Sequence, residues 1–241
     1  MTAFILAVQF LTRIPVPYSI KASDEQLGQS VLFYPVIGLF IGGFLALVAF
    51  LLQGNAISLQ AAILLTFWVL ITGGLHLDGL ADCADGWAGG LGNPQRSLEI
   101  MKDPASGAIA VVVLILVLLL KWTALSSLLE QDEGFSQLII IPALGRSAIL
   151  ALMLSSPYVS PNGLGEKLIR YLPKTAAALV LSTMLALGFY IVGFWALFYA
   201  GLMLLAIRFL AHQRLGGVTG DVYGAAVELL EMVLLIAVVF H

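Results

Sequence analysis

Ala186-Leu187-Gly188-Phe189-Tyr190-Ile191-Val192-Gly193-Phe194-Trp195 sits in the middle of an apolar run that extends from Ala176 to Leu210. At 1.5 Å per residue, that run is too long for one helical crossing of a hydrocarbon layer about 30 Å thick. Gly188 and Gly193 offer a break, so the run reads as two spans, 176–192 and 194–210. Outward from it lie further apolar stretches at 31–52, 56–75, 105–128, 138–154 and 222–240, each near the length that spans a bilayer. The chain therefore reads as all-α: a polytopic integral membrane helix bundle with about seven transmembrane helices in a single domain over 1–241. Residues 2–12 are apolar but too short to cross, which predicts a short N-terminal interfacial or re-entrant helix. No basic region precedes them and no small-residue cleavage site follows, so no cleavable signal peptide is expected.

Composition agrees. Of 241 residues only 10% are charged and 61% are apolar, with a mean hydropathy of +1.04. A soluble domain would carry about a quarter charged residues. The single cysteine, Cys83, excludes an intrachain disulfide and a multi-cysteine metal site, and reads as a small residue packed inside a helix. No repeat, low-complexity tract or basic-aromatic pattern is present, so nucleic acid is not an expected partner.

The sided distribution of Lys and Arg sets the expected orientation. With seven spans, one face receives Arg13, Lys21, Arg96, Lys102, Lys167, Arg170, Lys174, Arg208 and Arg214. The loops of the other face receive none, and the 130–137 loop carries Glu130, Asp132 and Glu133. That predicts a cytoplasmic membrane protein with its N-terminus and its basic face inside. Lys121 and Arg146 fall within spans.

On the same face lies Gly73-Gly74-Leu75-His76-Leu77-Asp78-Gly79-Leu80-Ala81-Asp82-Cys83-Ala84-Asp85-Gly86. If helical, it sets Asp78, Asp82 and Asp85 at i, i+4 and i+7, on one face over two turns. Acids at the edge of a hydrocarbon layer are expensive, and three on one face repel unless a cation lies between them. Mg²⁺ suits such a ladder, because it takes oxygen ligands, keeps waters and bridges carboxylates to phosphate. Solvated loop acids are the bland alternative. His76 precedes the ladder but points off its face, which suggests a hydrogen-bonding residue at a helix boundary.

Other segments converge on this side. Asp103 before Pro104 reads as an N-cap with Pro at the first helical position, and also as a candidate metal ligand. Arg96, Glu99 and Lys102 read as paired surface charges, or as cations placed to neutralise a diphosphate. Gly216-Gly217-Val218-Thr219-Gly220-Asp221 reads as a turn capping the last helix, or as an amide cradle for phosphate. Asp221 and Glu228 share a helix face, and Glu228 and Glu231 should face the bundle interior. Arg146 reads either as half of a buried ion pair or as a phosphate contact.

These residues resemble a family. Residues 73–82, the run Leu98-Glu99-Ile100-Met101-Lys102-Asp103 and the run from Gly216 to Ala225 are similar to signatures of adenosylcobinamide-GDP ribazoletransferases. Phe10-Leu11-Thr12-Arg13-Ile14-Pro15-Val16-Pro17 and Tyr34-Pro35-Val36-Ile37-Gly38 also fit. The resemblance covers almost the whole chain. It implies an integral membrane enzyme that uses Mg²⁺ and joins adenosylcobinamide-GDP to α-ribazole or its 5′-phosphate, releasing GMP. On that basis the metal ligands are expected among Asp78, Asp82, Asp85, Asp103, Asp221 and Glu228. Asp82 and Asp85 are the catalytic candidates, with Asp85 as general base. Arg13, Arg96, Lys102, Arg146, Gly216, Gly217 and Thr219 are the expected substrate contacts. The expected surroundings are the lipid bilayer, with a homo-oligomer or association with other late cobalamin-assembly enzymes left open.

Two other classes compete. Asp82-Cys83-Ala84-Asp85-Gly86 looks like the start of the CDP-alcohol phosphotransferase signature, but Trp87, Ala88, Gly89 and Gly90 supply no Ala-Arg pair. A divalent-ion or corrinoid transporter would also carry intramembrane acids. Against it, the acids gather at one face and no inverted repeat is visible.

Overall fold

The computed structural model describes residues 1–16, 21–131, 134–160 and 163–240; Pro17, Asp132 and Glu133 lie outside them. Eleven α-helices follow in order among the described residues: α1 Thr2–Leu11, α2 Asp24–Ser30, α3 Tyr34–Leu51, α4 Ile57–Thr72, α5 Leu75–Gly89, α6 Pro94–Ile100, α7 Ala108–Leu128, α8 Gly134–Ser155, α9 Leu164–Arg170, α10 Lys174–Leu215 and α11 Gly220–Phe240. Among the described residues the only extended pairing is an isolated parallel bridge between Tyr158 and Val218.

Five of these helices are long and apolar enough to cross a membrane, and α4 with α5 forms a sixth candidate that is bent by 88°. The remaining crossing is hidden in α10. Its 42 residues would run about 63 Å as one rod, twice the apolar thickness of a bilayer. Gly193 breaks it, with φ 81° and ψ 176°. A Cβ on Gly188 would stand 3.3 Å from Leu197 Cδ2, although those residues would be about 13 Å apart along a continuous helix. The chain folds back at Gly193, so α10 supplies two membrane-length arms and the described residues offer up to seven candidate crossings.

α8 and α11 are the most enclosed helices. Gly38 and Gly42 let α3 lie directly on α8, and a Cβ on Gly38 would meet Ala143 Cα at 2.5 Å. In lipid such small-residue contacts replace the hydrophobic drive that water would provide. The outer helices turn large apolar side chains outward, including Leu116 and Leu119 of α7 and Phe189, Phe198 and Phe209 of α10. An unbroken surface of this kind marks contact with lipid. α1 buries only Ala3, Ala7 and Leu11, a single stripe, as an interfacial helix should.

The boundaries differ from the sequence expectations in two places that matter. α4 stops at Thr72, because Gly73 and Gly74 both take positive φ, 63° and 70°, a backbone that glycine reaches without strain. The chain then turns into α5, which lies across the end of the bundle outside the spans. α7 begins at Ala108 rather than 105, for a reason given below. The alternation of the crossings collects the nine basic residues named above at the same end as α5.

Candidate active site at the acidic end of the bundle

α5 is helical, so Asp78, Asp82 and Asp85 do share a face. Two glycines bring a fourth carboxylate to it. A Cβ on Gly79 would lie 2.8 Å from the backbone oxygen of Asp221, and one on Gly224 would lie 3.1 Å from the backbone oxygen of His76. α5 and α11 therefore cross backbone to backbone, which sets Asp221, in the first turn of α11, beside the ladder. Electrostatics records the convergence. Burial, then the charges of Asp221, Asp78 and Asp85, push the Asp82 carboxyl up to about 6.

Asp85 is differently placed. Its Oδ2 accepts from the Gly107 amide at 2.5 Å and its Oδ1 from the Ala110 amide at 2.9 Å. Both oxygens thus cap the first turn of α7 from another helix. This is why α7 starts at Ala108, and it corrects the expectation that Asp103 caps a helix opening at Pro104. Asp103 instead accepts from the Ala105 amide at 3.0 Å in an exposed local turn.

The glycine-rich segment after α10 is a built turn. Gly216 ends α10 with φ 80°. A Cβ on Gly217 would overlap the Pro157 carbonyl and Val159 Cγ1, the latter at 2.6 Å, and the Val218 amide donates to Pro157 O at 2.9 Å. Buried Thr219 accepts from the Val222 amide and donates to Asp221 Oδ2, both at 3.3 Å. It caps α11 and steadies Asp221. Arg13 runs across Gly73, with Cδ 2.7 Å from a notional Cβ there. Arg96 of α6 and Lys102 just after it are exposed near the ladder's far end, and α6 is held to α5 where Gly86 meets Met101.

Beneath the ladder is a cavity of about 250 Å³. Asp78, Asp221, His76 and four aromatic residues (Phe10, Tyr34, Tyr158, Tyr223) line it. Sequence reading placed His76 at a helix boundary and passed over the aromatics. Only their presence beside polar motifs in an aliphatic chain could have flagged them.

The model of the cobalamin-5-phosphate synthase family matches residues 3–239. The chain belongs to that family. This makes it an enzyme of cobalamin synthesis. Among curated members of the cobalamin-5-phosphate synthase family, the adenosylcobinamide-GDP ribazoletransferase of Pseudomonas fluorescens is 49% identical over 99% of both chains. Those of Pseudomonas putida and Stutzerimonas stutzeri are 50% and 49% identical, over 96% of both chains and over 98% of this chain and 97% of the relative. No solved structure matches this synthase at a significant level.

Two expected site residues of this synthase lie away from the ladder. Glu228 Oε2 pairs with Lys121 Nζ at 2.8 Å, and the same Nζ meets Glu231 Oε2 at 2.7 Å. Arg146 pairs with the other Glu231 oxygen and donates to the Pro142 carbonyl at 3.2 Å. All four side chains are buried, and Lys121 also sits 4.5 Å from the Trp68 ring centroid. The charges balance, two against two, and tie α7, α8 and α11 together in the apolar layer. Arg146 is thus the buried ion pair of the two readings given for it.

The donor set of the ladder suits a hard divalent cation, being all carboxylate oxygen with small neighbours. As the side chains stand, no three His, Cys, Asp or Glu among the described residues surround a single point closely enough to hold one.

Proposed function

We propose that the chain transfers the phosphocobinamide group of adenosylcobinamide-GDP to a hydroxyl of α-ribazole or its 5′-phosphate. The hydroxyl oxygen bonds to the phosphorus attached to the cobinamide side chain, the bond from that phosphorus to the GMP oxygen breaks, and GMP departs. The hydroxyl proton passes to a carboxylate. The names of the relatives and the family match support the substrates. The single observation that carries the site is the crossing of Gly79 over Asp221, which gathers four carboxylates at one end of the bundle.

Such a transfer depends on positioning and charge neutralisation more than on covalent help. Asp78, Asp82 and Asp221 would hold Mg²⁺, which supplies neutralisation of the diphosphate when bound. Glu228 falls outside this set, since Lys121 occupies it. Asp85 is the carboxylate least free to accept that proton, because both its oxygens already accept amides. Asp85 then acts by fixing α7 against the ladder. Arg13, Arg96 and Lys102 stand at the same end, where cations would meet phosphate. The Lys and Arg bias supports a cytoplasmic position for this end.

The test is GMP release by detergent-purified protein given adenosylcobinamide-GDP, α-ribazole phosphate and Mg²⁺, beside Asp82→Asn. GMP that needs Mg²⁺, appears with a cobalamin product and vanishes in the variant supports the reading. No GMP from folded wild-type protein would sink it.

A further inference from the structure

The cavity under the ladder has two features that the transfer step leaves unused. Its walls are two stacked aromatic pairs. Phe10 and Tyr34 lie with ring centroids 5.8 Å apart and planes 18° from parallel, and Tyr158 and Tyr223 lie at 6.3 Å and 22°. Two of its lining residues carry polar atoms without partners. Both His76 ring nitrogens and the Tyr223 hydroxyl are buried with no hydrogen bond, in residues 3% and 6% exposed. The other two tyrosine hydroxyls are engaged, Tyr34 with Ser30 and Tyr158 with Ser160 and the Gly165 backbone. Buried polar groups are nearly always satisfied, so three idle atoms on two residues that line this cavity call for an acceptor or donor.

Charge narrows the occupant. No Lys or Arg lines the cavity, and the only ionisable acids there, Asp78 and Asp221, stand toward the ladder. A phosphate would find no countercharge inside. Size narrows it further. At about 250 Å³, the space falls below the roughly 300–1,000 Å³ of pockets for drug-sized ligands, so it suits one fused ring system and excludes a corrin macrocycle. Guanine carries N–H donors on its pairing edge that the lining carboxylates Asp78 and Asp221 would accept, so competition by GMP decides between the two bases. An N-ribosylated azole has a single free ring nitrogen, an acceptor only, which one O–H or N–H answers.

We propose that this cavity is the subsite for the azole base of the ribazole substrate, stacked on Tyr158 and Tyr223 with its free ring nitrogen accepting from Tyr223 or His76. This rests on the transfer reading above. It also orients that reaction: with the base beneath, the ribose lies at the mouth, beside Asp78 and Asp221, where its hydroxyl meets the ladder.

The test measures equilibrium binding of α-ribazole to purified wild-type protein in detergent with EDTA present, beside Tyr223→Phe and Tyr158→Leu, together with KM for each substrate in the full reaction. Each variant should weaken α-ribazole binding about tenfold and raise its KM alike, with KM for adenosylcobinamide-GDP unchanged and no displacement by GMP. Tyr223→Phe removes one oxygen, so it keeps the packing if Tyr158→Leu fails to fold. Unchanged α-ribazole affinity in folded Tyr223→Phe and Tyr158→Leu, or a shift in KM for the GDP substrate instead, would overturn the assignment, as would GMP competing for the site. Wild-type protein that binds α-ribazole but releases no GMP would overturn the transfer reading and leave the subsite standing.

Discussion

The carboxylate of Asp85 closes the open end of the helix that follows Gly107, although 22 residues separate the two. One acid of the ladder therefore defines where a transmembrane helix begins. Replacing it by Ala leaves two amides of α7 without their acceptor. The expected cost is about 0.5–2 kcal/mol, read as a lower unfolding temperature in detergent. Asp85→Asn, which keeps one oxygen acceptor, should recover much of that loss. Equal stability of wild type and Asp85→Ala would show that the cap contributes nothing.

The crossing of α5 over α11 admits no side chain. Gly79→Ala would drive a methyl into the Asp221 backbone, and the helices must part by a fraction of an ångström or more. Misplacement on the order of 1 Å costs about 10²-fold in a positioned reaction. GMP release should fall by about that factor while expression and helicity persist. Near-normal turnover would mean that the spacing of Asp221 from the ladder is immaterial.

Removing one member of the buried quartet leaves a charge in the apolar layer. Glu231→Gln strands Arg146 and half-strands Lys121, a change expected to destabilise by about 3–5 kcal/mol. The double change Lys121→Met with Glu228→Gln removes one charge of each sign. It should be less harmful than Lys121→Met alone, and a thermodynamic cycle over the two sites reads the coupling directly.

Asp82 gives a pH signature with a definite sign. Burial and the neighbouring carboxylates push its carboxyl up to about 6 in the folded chain, from an ordinary value of 3.8, so the folded state binds more protons than the unfolded state between those values. Stability of the metal-free protein should then fall as pH rises from about 4 to about 6. Mg²⁺ should restore it increasingly above pH 6, where the carboxylate is ionised. Thermal unfolding in EDTA and in Mg²⁺ at pH 5 and 7 checks this, and Asp82→Asn should flatten the dependence.

How far the sequence revealed all this depends on whether the cause was local. The spans were legible because hydropathy over about 20 residues is a local property, and Gly193 marked the fold-back because only glycine takes that backbone easily. The ladder was legible because helical spacing alone aligns Asp78, Asp82 and Asp85. Its fourth member, Asp221, could be suspected but not placed, since the contact depends on Gly79 and Gly224 meeting from distant segments. The α7 cap was misread: Asp103-Pro104 carries the local signal of a cap, and Asp85 wins by tertiary geometry that no local pattern encodes. Lys121 was legible only as an oddity within a span, because its partners lie more than 100 residues away. The aromatic cavity was illegible for the same reason, its walls coming from α1, α3, α11 and the loop after α8.

The buried quartet also dictates an order of events in biogenesis. Lys121 and Arg146 precede Glu228 and Glu231 in the chain, so a ribosome delivers both cations to the bilayer before either counter-ion exists. Until the final helix arrives, those cations have no lasting home in lipid and must shelter against the insertion machinery or the headgroups. The last helix is then a latch, and it is the same helix that carries Asp221 to the ladder. A chain whose synthesis or insertion stops short of it would keep Lys121 and Arg146 unneutralised and would lack Asp221 beside the ladder.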